Sequence, residues 1–179
     1  MMVRMEKIPP AAALAELKTY LRIEDGTEDA LLAGLLRAAT ETVEALLGAL
    51  LLERDIEERG HVKNGKFALM ISPAVGLLSV ALVGHDAGEV LLAAEDARLC
   101  TTRFGDGHLM LSAEAEGEEI IVRYRAGLAD SWNGVPEILR LSVIRASAHF
   151  HAHRDSANDG GLPPAVMRML SAWRRRRLH

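Results

Sequence analysis

The stretch from Leu32 to Leu47 restricts the fold more than any other part of the chain. Leu32, Leu35, Leu36, Ala39, Val43, Leu46 and Leu47 recur at helical spacing, while Arg37, Glu41 and Glu44 fall away from that stripe. A helix of this kind must bury one face against partners, so the chain needs other apolar elements to cover it. Leu31 and several alanines lie outside the narrowest stripe, which gives the helix a second apolar edge to bury. The helix is expected over about residues 27–47, with Thr27 as its N-cap and with Glu28 and Asp29 in the first turn, where the helix dipole favours acids. Upstream, Pro9 and Pro10 precede a shorter helix, about 11–21, whose Leu14, Leu17 and Leu21 share a face; Gly26 marks the turn between the two.

From Leu52 to Ala126 the period shifts towards two. Asn64-Gly65, between Val62 and Phe67, signals a type I′ hairpin. Candidate strands run Phe67 to Ile71, Leu77 to Val83, Val90 to Ala93, Arg98 to Thr102, His108 to Leu111 and Glu119 to Tyr124. Gly60, Pro73, Gly76, Gly84, Gly88, Gly105, Gly107 and Gly117 are read as the turns between them. Val135-Pro136-Glu137 then opens a third helix, about 136–153, with Pro136 at its first position and Leu139, Val143, Ala146 and Phe150 along one side. Ser156 to Pro164 reads as a loop, and Ala165 to about Trp173 as a fourth helix. The pattern is an α+β fold: helical N- and C-terminal parts packed together, with a small antiparallel β region, about 52–126, inserted between them. Residues 1–159 are taken as one domain and 160–179 as a C-terminal helix with a basic tail.

At 179 residues the chain is long enough for a single domain that buries about 70% of its unfolded surface. Aromatic residues make up only 4%, so its core is aliphatic. The lone Cys100 excludes an internal disulfide or a Cys-rich zinc site and suits a reducing compartment, as a small apolar filler. The N-terminus MMVRMEKIPP reads as neither signal peptide nor anchor, and Ala30 to Leu52 is interrupted by Arg37, Glu41 and Glu44, so no membrane association is expected. Charge is divided unevenly. Residues 1–159 carry 16 Lys+Arg against 25 Asp+Glu, whereas Arg168 and Arg174 to Arg177 face no acid in residues 160–179. An acidic body disfavours ordinary duplex binding, which draws its affinity from phosphate neutralisation.

Chemistry-bearing clusters are few. His149, His151 and His153, with Asp155 beyond, offer only His149 and His153 on one helix face and no third ligand beside them, so they are read as helix-end histidines that cap carbonyls, and neither a metal nor a cofactor is expected. Glu57, Glu58 and His61, or Asp106 and His108, are acid and base types without a nucleophile or a substrate-cradling loop. Gly105 to Gly107 form a turn and not a phosphate loop, because no helix starts after them. No catalysis is expected. The unusual segment is Trp173 with Arg174, Arg175, Arg176 and Arg177. It reads as a solvated helix terminus, as an anchor that buries one aromatic while guanidiniums pair with a neighbour's carboxylates, or as a DNA-contacting tail.

Two segments carry a resemblance: LAELKTYLRIEDGTEDALL from Leu14 to Leu32, and VRYRAGLADSWNGVPEILRLSVIRASAHFHAHRD from Val122 to Asp155. A short helix, an LRI-acidic turn and a longer amphipathic helix, then a strand ending in Tyr-x-Ala-Gly and a Val-Pro-started helix, resemble the head–tail connector (adaptor) proteins of long-tailed phages and gene transfer agents. That resemblance implies a structural subunit of a ring of about twelve copies. The ring would sit at the head–tail junction of a particle assembled in the bacterial cytoplasm, between the portal protein and a stopper or tail component. Duplex DNA would pass through its channel without sequence-specific binding, repelled by the acidic wall, and Trp173 to Arg177 would meet the portal. The alternative is a packaging accessory or regulatory protein that grips DNA through its basic tail. A long central β region and the polyarginine end set the chain apart from the simplest members of that family.

Overall fold

The computed structural model describes residues 2–5, 11–84, 88–102, 105–112, 115, 117–154 and 161–174. In chain order the elements are β1 (Met2–Met5), α1 (Ala11–Leu21), α2 (Asp29–Leu47), β2 (Arg54–His61), β3 (Lys66–Ala68), β4 (Ala74–Val83), β5 (Glu89–Leu91), β6 (Ala97–Thr101), β7 (Gly107–Leu111), β8 (Glu119–Ala126), α3 (Glu137–Ala152) and α4 (Pro164–Ser171). They form two compact units, one of strands and one of helices drawn from both ends of the chain. The expected α+β arrangement is therefore present, with the β region inserted between helices that pack together.

In the helical unit, α2 packs on α3, and α1 on both. Leu32, Leu36, Ala39, Val43 and Leu47 of α2 are buried, as are Leu17 of α1, Leu139, Val143 and Ala146 of α3, and Val166 and Leu170 of α4. Leu35, Leu46 and, on α3, Phe150 are half-buried, because they flank the stripe and do not lie at its centre. The expected cap at Thr27 is replaced by a different local solution. Asp25 Oδ1 accepts both the Thr27 hydroxyl (2.5 Å) and its backbone N–H (3.0 Å), so Thr27 is committed to a turn, and Glu28 occupies the N-cap position without a capping bond. Pro136 likewise stands at the N-cap of α3, one position earlier than expected.

Glu44 also departs from expectation, since it is buried and not solvent-facing. Gly48 ends α2 in the left-handed conformation (φ 66°), donating its N–H to Glu44 O at 2.9 Å. The chain then doubles back, and the Leu51 N–H donates to Glu44 Oε1 at 2.9 Å. A carboxylate that helical spacing turns outward is thus covered by the segment that follows the helix.

The β unit holds two antiparallel sheets rather than one: five strands in the order β1-β2-β8-β4-β5, and three in the order β3-β7-β6. β8 lies centrally, with Ile120, Ile121, Val122, Tyr124 and Ala126 all buried, which explains its continuous apolar run. β1 was not legible as a strand in the sequence; it pairs antiparallel with β2 at the sheet edge, Val3 opposite Glu58. The I′ turn forms as expected. Asn64 and Gly65 have φ of 54° and 64°, and Lys63 and Lys66 exchange backbone hydrogen bonds of 3.0 Å each. Beyond that bridge β2 stays with β8 while β3 leaves to pair with β7.

Glycines read as turns separate into two groups. Gly65, Gly105 and Gly117 take positive φ in turns, whereas Gly60, Gly76 and Gly107 lie inside strands, Gly76 at a register shift of β4 against β8. Gly107 is needed for packing: a Cβ there would come within 2.9 Å of Ala74 Cβ and Leu69 Cδ1.

Candidate functional site

α4 buries Val166 and Leu170 and leads directly into the segment singled out in the sequence. The backbone N–H groups of Trp173 and Arg174 both donate to Leu170 O, at 3.0 and 3.1 Å, so the two residues continue from the helix in a last turn. Trp173 follows Leu170 by three residues, on the side that the apolar stripe would occupy, yet its side chain is 40% exposed. Met167 is exposed too, and Arg168 and Arg174 meet no carboxylate among the described residues. Arg175, Arg176 and Arg177 lie outside the described residues. The result is a short helix whose apolar stripe ends in an indole open to solvent, beside cations free to pair outside the chain.

The histidines do not converge. His149 and His153 stack with ring centroids 4.2 Å apart, and His153 Nδ1 lies 2.9 Å from His149 O, closing the last turn of α3 as a carbonyl cap. His151 points elsewhere, with Nε2 3.3 Å from Glu28 Oε2, while Arg154 Nη1 is 3.5 Å from Glu28 Oε1. Glu28 therefore ties the start of α2 to the end of α3, a role that its place in a first helical turn does not reveal. Asp155 lies outside the described residues, and no group of three metal-ligating side chains occurs among the described ones.

Nor do Glu57, Glu58 and His61 come together, because alternation along β2 turns Glu57 and Glu58 to opposite faces. Outward, Arg123 Nε donates to Glu57 Oε2 and its Nη2 to Glu89 Oε2, each at 2.9 Å, and Arg125 Nε meets Asp55 at 3.2 Å. Hydrogen bonding to Glu89, opposed by desolvation and helped further by Glu57, pushes the Arg123 guanidinium above even its usual basicity. Inward, Glu58 is fully buried. Its carboxylate accepts the Tyr124 hydroxyl at 2.5 Å and the Met70 and Ile71 N–H groups at 3.1 Å. Burial, and then the bond to Glu58, drive the Tyr124 phenol well above its ordinary value. His61 is exposed at the far end of β2, and Asp106 lies in the turn that leads into β7, where His108 stands in register with Cys100. Among the described residues none of these pairs forms an acid-base couple beside a nucleophile.

The same cluster gives Tyr-x-Ala-Gly its physical meaning. Tyr124 locks the 70–71 segment through Glu58, and Ala126 is buried against its neighbours. Gly127 has φ 154°, donates its N–H to Pro73 O at 2.9 Å, and a Cβ there would overlap the Leu52–Glu53 backbone. The motif is a fold lock and not a reactive site.

The family model of the head completion protein matches residues 12–176. The chain belongs to the head completion protein family. That family is structural and not enzymatic. The fold is similar to that of chains in three solved structures: the neck of an empty GTA particle computed with C6 symmetry (TM-score 0.82), the virion of a native gene transfer agent (GTA) particle (0.81), and the neck of a native GTA particle computed with C12 symmetry (0.81). Each likeness covers 100% of this chain and 98% of the other, at 24% identity. No curated protein matches the sequence significantly. Both segments that carried the resemblance fall entirely within the matched family region, and no described helix is long and apolar enough to cross a membrane.

Proposed function

We propose that this head completion protein is the adaptor subunit of a particle neck. About twelve copies form a ring at the head–tail junction between the portal and a stopper or tail component. The ring extends the channel for duplex DNA, and the acid-rich body, with 25 Asp+Glu against 16 Lys+Arg over residues 1–159, keeps passing phosphates from adhering. The observation that carries this reading is the end-to-end likeness to GTA neck chains, one of them in a neck computed with C12 symmetry. Residues 160–179 act as a docking extension on the 1–159 domain: Trp173 supplies the aromatic anchor, and Arg174, Arg175, Arg176 and Arg177 supply forks for carboxylates on the portal.

The test is negative-stain imaging and native mass spectrometry of the purified chain with and without portal. A ring on the portal is the expected outcome, and a closed dimer that persists with portal present overturns it. A parallel experiment deletes Trp173 to His179 and follows both portal docking and duplex binding against salt. Loss of docking supports the adaptor reading; loss of salt-sensitive duplex binding with docking intact transfers the tail to the DNA-gripping role.

A further inference from the structure

We propose that the outward face of the three-stranded sheet β3-β7-β6 docks against the acidic surface of a second copy of this chain. Lys66 stands opposite Met110 and Met110 opposite Arg98, while Ala68 stands opposite His108 and His108 opposite Cys100. Ladder partners share a face, as do residues two apart along a strand, so these six form one surface. The reverse face is the buried one, with Phe67, Leu109 and Ala97 packed inward. Met110, at the centre of the outward face, is 44% exposed.

Two features separate this face from an ordinary solvated sheet. Its strands, KFA, ARLCT and GHLML, contain no carboxylate. In the five-stranded sheet Arg59, Arg123 and Arg125 each meet a carboxylate, whereas Lys66, Arg98 and the adjoining turn residue Lys63 meet none among the described residues. Solvated surfaces normally intersperse the two signs. Met110 and Arg98 are of the types enriched in interfaces, and Lys66, on the edge strand, and Lys63 supply charge where a polar rim would lie. A phosphate-binding surface would place more donors, not a thioether, at that centre. The acid-rich body of the chain itself supplies the opposite charge, and contact between unlike faces of successive copies is the geometry that closes a ring. The inference rests on the neck reading above.

The test places the photo-crosslinking residue p-benzoylphenylalanine at Met110 of the full chain in particle-producing cells, irradiates purified particles and sequences the cross-linked peptides. Both peptides of each pair are expected to come from this chain. Cross-links to DNA, to a different protein or to nothing, in particles that contain the chain, overturn the inference and leave the neck reading standing. Complete particles that lack the chain overturn the neck reading, and the inference with it. Cys100, the single cysteine, provides a measurement without substitution. Its alkylation in unsubstituted particles should be at least about tenfold slower than in the free chain, since thiol reactivity needs access, and equal rates overturn the proposal.

Discussion

Replacing Tyr124 by Phe removes one oxygen from the interior of the β unit, and its cost can be worked from the contacts. The hydroxyl donates to Glu58 Oε1 at 2.5 Å and accepts the Ile71 N–H at 3.2 Å, in a site where Glu58 is fully buried. Without it the buried carboxylate loses a donor, a loss of about 1.5–3 kcal/mol for a hydrogen bond to a charged group. The pH dependence follows from the raised phenol pKa. In the unfolded chain Tyr124 ionises near pH 10, while in the folded chain it stays protonated well above that. The unfolded state therefore binds fewer protons above pH 10, and the stabilisation, fully present below that value, is lost as pH rises. The slope is about 1.4 kcal/mol per pH unit, so an advantage of about 2 kcal/mol for the parent over Tyr124→Phe closes by about pH 11.5. Urea unfolding followed by circular dichroism at pH 7 to 12, with hydrogen exchange at the Met70 and Ile71 amides, measures it. Taking the difference between the two proteins cancels lysine titration. Equal stability at pH 7, or a gap that persists undiminished above pH 11, would refute the reasoning.

In the helical unit, Leu36→Ala should cost about 2–5 kcal/mol through transfer and cavity terms, Leu35→Ala clearly less, and Glu41→Ala almost nothing, as read by thermal melts; equal shifts for Leu36 and Glu41 would contradict the observed register. Glu44→Ala leaves the buried Leu51 N–H without its acceptor, so a loss of about 1–3 kcal/mol is expected in denaturant titration, whereas a neutral result would mean that the Glu44 carboxylate contributes nothing. Gly127→Ala sets a Cβ into the Leu52–Glu53 backbone and should prevent the β unit from folding, visible as loss of dispersed amide resonances. Removal of Trp173 to His179 should leave the unfolding free energy within about 0.5 kcal/mol of the parent, because Trp173 and Arg174 are exposed, while abolishing particle completion. With the four arginines replaced by lysine, completion should return only in part, since lysine lacks the bidentate fork.

Elements set by near neighbours could be read directly from the chain. Helical spacing from Leu32 to Leu47 needs only contacts three and four residues apart, and Asn64-Gly65 specifies its turn because two adjacent residues tolerate positive φ. The family resemblance was legible too, in the order of segments from Leu14 and from Val122. Tertiary structure decided what depended on distant partners. Glu28 meets His151 across 123 positions, and Glu58 meets Tyr124 across 66, so no local pattern marks either acid as structural. Glu44 reads as solvent-facing until the chain returns past it, Gly107 reads as a turn until Ala74 closes on it, and β1 is too short to declare itself until β2 offers an edge. Sequence periodicity records which side of an element is apolar. Only the packed chain settles which polar groups lose their water, because desolvation is set by whatever comes to cover them.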